Sequence, residues 1–266
     1  MESSLWDERV KKYGHTGWSD AGIYAFDQTA RIRIVNALIR AFAAGKGTLL
    51  DFGCGTGEFA YSQKNKFKSI LIYDNCRPVL EKAKKLIRGC TAYGNLEDLR
   101  HDSQKQDVVL SITVLQHVLD NRELKDILQV IRSKMSENSI FIVLEHFEAG
   151  GGTGSYSRSF DYDWFMNLAG ECGFCEIKSW NLYQADVYSD KYYRVYSGRK
   201  DVVFWGKAYS HVPGILKKPV LCVMKTIALA GGYNRNCRKF LFPLTREAGS
   251  KFIVLKCRDA RKEQRG

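Results

Sequence analysis

Apolar residues recur along this chain in two alternating rhythms. "TLLDF" (48–52), "SILIYD" (69–74), "DVVLSI" (107–112) and "SIFIVLEHF" (139–147) are short, nearly continuous apolar runs, the pattern of strands buried on both faces. Between them apolar positions follow helical spacing: Val35, Leu38, Ile39 and Phe42; Val79, Leu80, Ala83, Leu86 and Ile87; Leu124, Ile127, Leu128 and Ile131. Gly45 and Gly47 stop the first of these helices, and another starts near Glu58. A later helix passes through Trp164, Phe165 and Leu168, and "CEIKSWNLY" and "KFIVLKCR" (251–258) supply the last two strands. This alternation predicts an α/β fold, a parallel sheet covered on both faces. The first 22 or so residues, with Gly14 and Gly17 among mixed charges, read as an irregular arm.

The most informative stretch is "LLDFGCGTGEFA" (49–60), an acid and then glycines at 53, 55 and 57 behind a strand. Such glycines turn the chain tightly and let backbone approach a ligand, and the following helix aims its free N–H groups at the same place. A dinucleotide register would need glycine at 58, where Glu58 stands, and an acid beside a diphosphate is electrostatically wrong. The acid-x-G-x-G-x-G order from Asp51 to Gly57 suits a ligand with an ammonium and a neutral sugar. Asp74, ending the second strand, can accept both hydroxyls of a ribose, and Asn95 in "GNLEDL" (94–99) an adenine amino group.

On "LLDFGCGTG", "IYDNCRPVLEKAKK", "GNLEDL" and "VVLSITVLQHV", in that order and spacing, the sequence resembles the class I S-adenosylmethionine-dependent methyltransferases over roughly residues 30–180 plus the last strand. The resemblance implies a Rossmann-like, doubly wound sheet of seven strands, the antiparallel last one lying between the fifth and sixth. It also implies S-adenosyl-L-methionine as cofactor, with Asp51, Gly53, Gly55 and Gly57 flanking its methionine part, Asp74 on the ribose, and Asn95 with the Leu96 backbone at the adenine. The family often carries Asp where this chain has Asn95, whose amide oxygen can serve as the same acceptor.

Charge sharpens the picture once it is located. Of the net +12, the segment from Asp201 to Gly266 carries +10, with 14 Lys or Arg against 4 acids. Most of it falls in residues 184–250, where the family ordinarily has a short hairpin, or in the tail after 258. The expected organisation is an N-terminal arm over the site (1–30), a cofactor-binding core (31–183 and 251–258), a basic lid insertion (184–250) and a basic tail (259–266). The insertion joins the sixth strand to the antiparallel seventh, so it should emerge beside the active site. Its apolar run 219–230 carries Lys225 and is too short to span a membrane. Flanked by Lys217, Lys218, Arg235, Arg238 and Lys239, it reads either as a lid helix or as a surface meeting anionic lipid. Eight scattered cysteines and an acidic start without an apolar h-region point to reduced thiols in the cytoplasm.

A sulfonium already activates its methyl group, so alignment and, for a hydroxyl acceptor, a base are what the protein must add. His146 and His117, at carboxyl ends of strands, are the candidate bases, His146 first because it adjoins the loop at Gly150–Gly152. Tyr156 and Arg158 in that loop are candidates to hold an acidic or hydroxylated acceptor. No "NPPY"-type stretch and no Pro-Cys pair follow the fourth strand, against amide, adenine-N and cytosine-C5 methylation. Cys172 and Cys175 stand without a second pair, and no metal is expected. The reading is methyl transfer to a small, anionic acceptor, such as a lipid- or nucleotide-linked sugar or a natural product. An RNA methyltransferase, favoured by a pI near 9.3 but without an RNA-binding module, and a non-catalytic cofactor-binding subunit are the alternatives.

Overall fold

A computed structural model describes residues 3–17, 21–182, 212–216, 219–220, 223, 241–242, 244 and 249–258. The strands form one mixed sheet. Its members in chain order are β1 (Thr48–Phe52), β2 (Ser69–Tyr73), β3 (Thr91–Tyr93), β4 (Gln106–Ile112) and β5 (Met135–Phe147). After a small antiparallel hairpin of β6 (Gly152–Thr153) and β7 (Arg158–Ser159) come β8 (Phe174–Leu182), β9 (Leu241–Phe242) and β10 (Gly249–Cys257). The spatial order is β3-β2-β1-β4-β5-β10-β8-β9. The first five strands pair in parallel, and β10 runs antiparallel between β5 and β8. That is the expected seven-stranded arrangement, to which two-residue β9 adds an eighth member at the edge.

Period-two alternation decides which side each residue serves. Ile140, Ile142 and Leu144 of β5 face one core with Ile70, Ile72 and Leu49. Phe141 and Val143 face the other with Leu50, Leu71 and Phe52. Helices α2 (Ala21–Phe42), α3 (Glu58–Gln63) and α4 (Arg77–Leu86) cover the first core through Ile34, Val35, Leu38, Phe59, Ala60 and Leu80. Beyond α5 (Leu96–His101), helices α6 (Asn121–Ser133) and α7 (Tyr162–Glu171) cover the second with Leu124, Leu128, Ile131 and Phe165. Both faces being covered is why these strands read as unbroken apolar runs.

The N-terminus departs from the expected irregular arm. Residues Ser3–Tyr13 form a helix, α1, on whose one side Trp6, Val10 and Tyr13 fall at helical spacing. Helix α2 begins at Ala21, about four turns before Val35, the first apolar residue of the sequence pattern. Its early inward positions are Tyr24, Asp27 and Arg31, all buried, with Arg31 Nη2 paired to Asp27 Oδ2 at 2.8 Å. The inward face is charged there, so apolar periodicity does not report it.

At the other end, the chain leaves the sheet at Leu182, returns to its edge as β9 and enters its interior again at Gly249. Gly249 pairs with Phe147 and Lys251 with Asn181, at the carboxyl ends of β5 and β8. What lies between therefore departs and returns at the carboxyl edge. Residues 183–211 and almost all of 217–248, including the five basic positions named above, lie outside the described residues. Among the described residues no helix is long and apolar enough to cross a membrane.

Candidate active site

The glycine turn after β1 adopts left-handed backbone at each expected glycine, with φ of +72°, +54° and +90° at Gly53, Gly55 and Gly57. Each is bare for a different neighbour. A Cβ on Gly53 would collide with both methyls of Val114, and one on Gly57 would stand 3.0 Å from Ala83 Cβ on α4. One on Gly55 would stand 2.9 Å from Thr16 Oγ1, which lies over the turn. The N-terminal segment is held there by Arg9, whose guanidinium donates to the carbonyls of Thr16 and Gly17, and by Lys82, which donates to Gly14 O. His15 stacks flat on Tyr24, ring centroids 3.5 Å apart.

Two acids frame the turn. Asp51 is buried and, among the described residues, accepts only from Ala60 N, at 3.0 Å, in the first turn of α3. Burial, with Glu58 and Asp74 nearby, pushes it up to about 7 although the Ala60 bond opposes this. Asp74 accepts from Gly55 N through Oδ2 and from Cys76 N through Oδ1, both at 2.9 Å, so one carboxylate ties the end of β2 to the glycine turn. Burial pushes it up to about 6 against those two bonds. Neither acid is ion-paired among the described residues. Two desolvated carboxylates without a cation beside a bare turn fit a ligand that brings its own positive charge. Asn95 is the N-cap of α5: its Oδ1 accepts from Glu97 N at 2.8 Å, leaving the oxygen a second lone pair, and Leu96 opens the helix.

On the acceptor side, β4 is followed by Thr113, at φ +59° the one non-glycine residue with positive φ among the described residues. The loop it starts is clamped by Glu145 of β5, whose Oε1 accepts from Val114 N (3.0 Å) and Leu115 N (2.8 Å) and whose Oε2 accepts from Gln116 N (3.1 Å). Glu145 is fully buried. Its desolvation pushes it up to about 8, against the three N–H bonds and the nearby Arg31, which all pull it down. Apolar patterning does not single out Glu145. An acid inside an otherwise apolar strand was the available signal.

His117 sits in the clamped loop. Its Nδ1 lies 2.9 Å from Tyr156 O, and a carbonyl can only accept, so Nδ1 carries the proton. Nε2 is 3.4 Å from the Gln116 amide nitrogen, and Trp6 of α1 packs edge-on at 4.8 Å. Burial lowers the His117 pKa, the Tyr156 bond partly offsetting it. The Tyr156 ring stacks at 6.4 Å from His117 and is otherwise exposed.

A cleft of about 490 Å³ opens nearby, lined by Gln116, His146, Glu148, the hairpin residues 152–154 and Ser157, Arg158 and Ser159. His146 and Glu148 stand two apart along β5 and its end. Burial lowers the His146 pKa, with Glu148 pulling the other way and Lys251 adding to the drop. His146 and Arg158 thus share one cleft, while His117 and Tyr156 meet each other beside it. Among the described residues no cluster of His, Cys, Asp and Glu could hold a metal.

Residues 50–143 match the family described as "Methyltransferase domain". Solved structures share the fold. A putative sarcosine dimethylglycine methyltransferase from Galdieria sulphuraria aligns over 95% of this chain and 97% of its own, with a TM-score of 0.57 at 15% identity. An S-adenosylmethionine-dependent methyltransferase from Clostridium acetobutylicum covers 88% and 92%, with a TM-score of 0.55 at 10% identity. Phosphoethanolamine N-methyltransferase 2 of Haemonchus contortus, solved with S-adenosyl-L-methionine, covers 96% of this chain and 60% of its own, with a TM-score of 0.57 at 12% identity. No curated protein matches the sequence. Residues 50–143 thus carry a methyltransferase domain, and the sheet order is that of the class I S-adenosylmethionine-dependent methyltransferase fold. The cofactor of that family is S-adenosyl-L-methionine, and the uncompensated Asp51 and Asp74 suit its cationic charge.

Proposed function

We propose that the protein methylates a hydroxyl of a small anionic molecule held in the cleft between the loop after β4 and the β6–β7 hairpin. The observation carrying this reading is His146, an imidazole with a lowered pKa lining that cleft at the carboxyl edge. A desolvated imidazole is neutral near pH 7 and can take the hydroxyl proton as the oxygen attacks. S-adenosyl-L-methionine supplies an electrophilic methyl on sulfur. Asp51 and Asp74 hold its ammonium side and ribose, Asn95 and the Leu96 backbone its adenine, and Gly53, Gly55 and Gly57 admit its chain. Gln116 and Ser157 offer the acceptor hydrogen bonds. His117, with Nδ1 committed to Tyr156 O, shapes the wall and is the second candidate base, and Tyr156 borders the entrance. The four-part organisation is part of this proposal, with α1 and the 13–17 segment on the cofactor side and the insertion, 184–250, lying largely outside the described residues.

The test is the pH profile of turnover with a hydroxylated acceptor found by screening. His146→Ala should lower turnover by about 10²-fold and leave S-adenosylhomocysteine affinity unchanged. Wild-type turnover should fall on the acid side of a neutral-imidazole titration. Full turnover in His146→Ala would leave alignment alone as the source of rate.

A further inference from the structure

The hairpin wall of the cleft holds an arginine that, among the described residues, donates from only one of its three nitrogens. Arg158 stacks its guanidinium over Phe160 (5.1 Å to the ring centroid) and Trp164 (4.8 Å). Its Nη1 donates to Asn121 Oδ1 at 2.6 Å and to Leu119 O at 3.3 Å. These contacts fix the plane of the fork and its orientation. The opposite edge is Nε and Nη2. Neither donates to any group among the described residues, and Nε is sealed from solvent without a partner. No ion pair with a described residue neutralises the charge. Burial accordingly lowers the Arg158 pKa. Glu148, the only acid lining this cleft among the described residues, accepts the Ser159 hydroxyl instead.

The side-on edge of a guanidinium presents two parallel N–H groups at the spacing of two oxygens on one carboxylate or phosphate. A buried donor without an acceptor, on a side chain whose plane is already fixed, is organised for a partner that arrives with the ligand. We infer that Arg158 anchors an oxyanion of the methyl acceptor, through Nε and Nη2, while the acceptor's hydroxyl lies toward His146. The substrate class is then a hydroxylated carboxylate or phosphate ester small enough for the cleft. This rests on the proposed acceptor cleft, but it is tested without turnover.

The experiment uses the full chain with ¹⁵N-labelled arginine and saturating S-adenosylhomocysteine. The Arg158 Nε–Hε signal is assigned by its loss in Arg158→Lys. Inorganic phosphate and acetate are titrated separately at constant ionic strength. At least one anion should shift that signal along a saturating curve. Phosphate alone would indicate a phosphate ester, acetate alone a carboxylate. The same titration followed by heat should weaken roughly tenfold in Arg158→Gln, and several-fold in Arg158→Lys, which keeps the charge but loses the fork. A signal indifferent to both anions, or Arg158→Lys binding as tightly as wild type, overturns the proposal. Failure of the wild type to bind S-adenosylhomocysteine would overturn the methyltransferase reading instead.

Discussion

Asp74 shows how much one side chain carries at the residue scale. Its two oxygens already hold Gly55 N and Cys76 N, so the group proposed to meet the ribose also shapes the glycine turn. Asp74→Ala should weaken S-adenosylhomocysteine binding by about 1.5–3 kcal/mol in calorimetric titration, the loss of charge-assisted hydrogen bonds. The acids also set a pH dependence. Asp51 and Asp74 rise to about 7 and about 6 in the folded protein, so the folded state binds protons more tightly than the unfolded one. Stability of the free protein should therefore fall as pH rises from about 4 to about 7. A cationic ligand favours the ionised acids, so its affinity should rise over the upper part of the same range, with proton release on binding. Calorimetry at pH 5.5 and pH 8 in buffers of different ionisation enthalpy reads both; equal affinity at the two pH values would exclude these acids from the site. Gly53 makes the turn testable by stability alone. With φ at +72° and the Val114 methyls in the way, Gly53→Ala should cost roughly 1–3 kcal/mol in urea unfolding. Val114→Ala in the same chain should recover part of that, as expected for residues in contact.

At the scale of elements, Glu145 joins β5 to the loop after β4 by three backbone bonds, and Arg31 of α2 lies close enough to influence it. Removing the carboxylate orphans three N–H groups and frees the loop that carries Gln116 and His117. Glu145→Ala should reduce turnover by about 10- to 100-fold, a misplacement effect, with a smaller change in S-adenosylhomocysteine affinity. Glu145→Gln keeps one acceptor oxygen and should fall between. Equal losses of turnover and cofactor affinity would mark Glu145 as a residue of the fold only. Most elements were legible because both faces of the sheet are covered, so strands and helices each displayed their own period. Strand β5 starts at Met135 rather than 139 because its first residues, Ser136 to Asn138, are polar and exposed. Helices α1 and the start of α2 escaped because Arg9, Asp27 and Arg31 make polar contacts inward, where an apolar template expects hydrocarbon.

At the scale of the molecule, the basic last quarter meets the topology. Strand β8 ends and strand β10 begins at the carboxyl edge of the sheet, the edge at which the cleft with Arg158 opens. Neutralising Lys217, Lys218, Arg235, Arg238 and Lys239 together should leave S-adenosylhomocysteine affinity intact. It should raise the acceptor KM and flatten its dependence on ionic strength, because screening acts on exposed charges. Unchanged KM and salt response in that variant would reduce the insertion's charge to a solubilising surface. The sequence by itself determined the sheet, the glycine turn and its two acids, since each rests on local spacing: period two in the strands, alternate glycines, an acid at a strand end. It also located the charge excess. Only the tertiary structure decided which histidine faces the cleft, because His117 spends its Nδ1 proton on Tyr156 O, a partner 39 residues away. It likewise decided that Glu145 clamps a loop 30 residues distant and that Thr16 lies over Gly55. No periodicity encodes these pairings. They arise where distant segments close on the carboxyl edge and buried polar groups must find partners there.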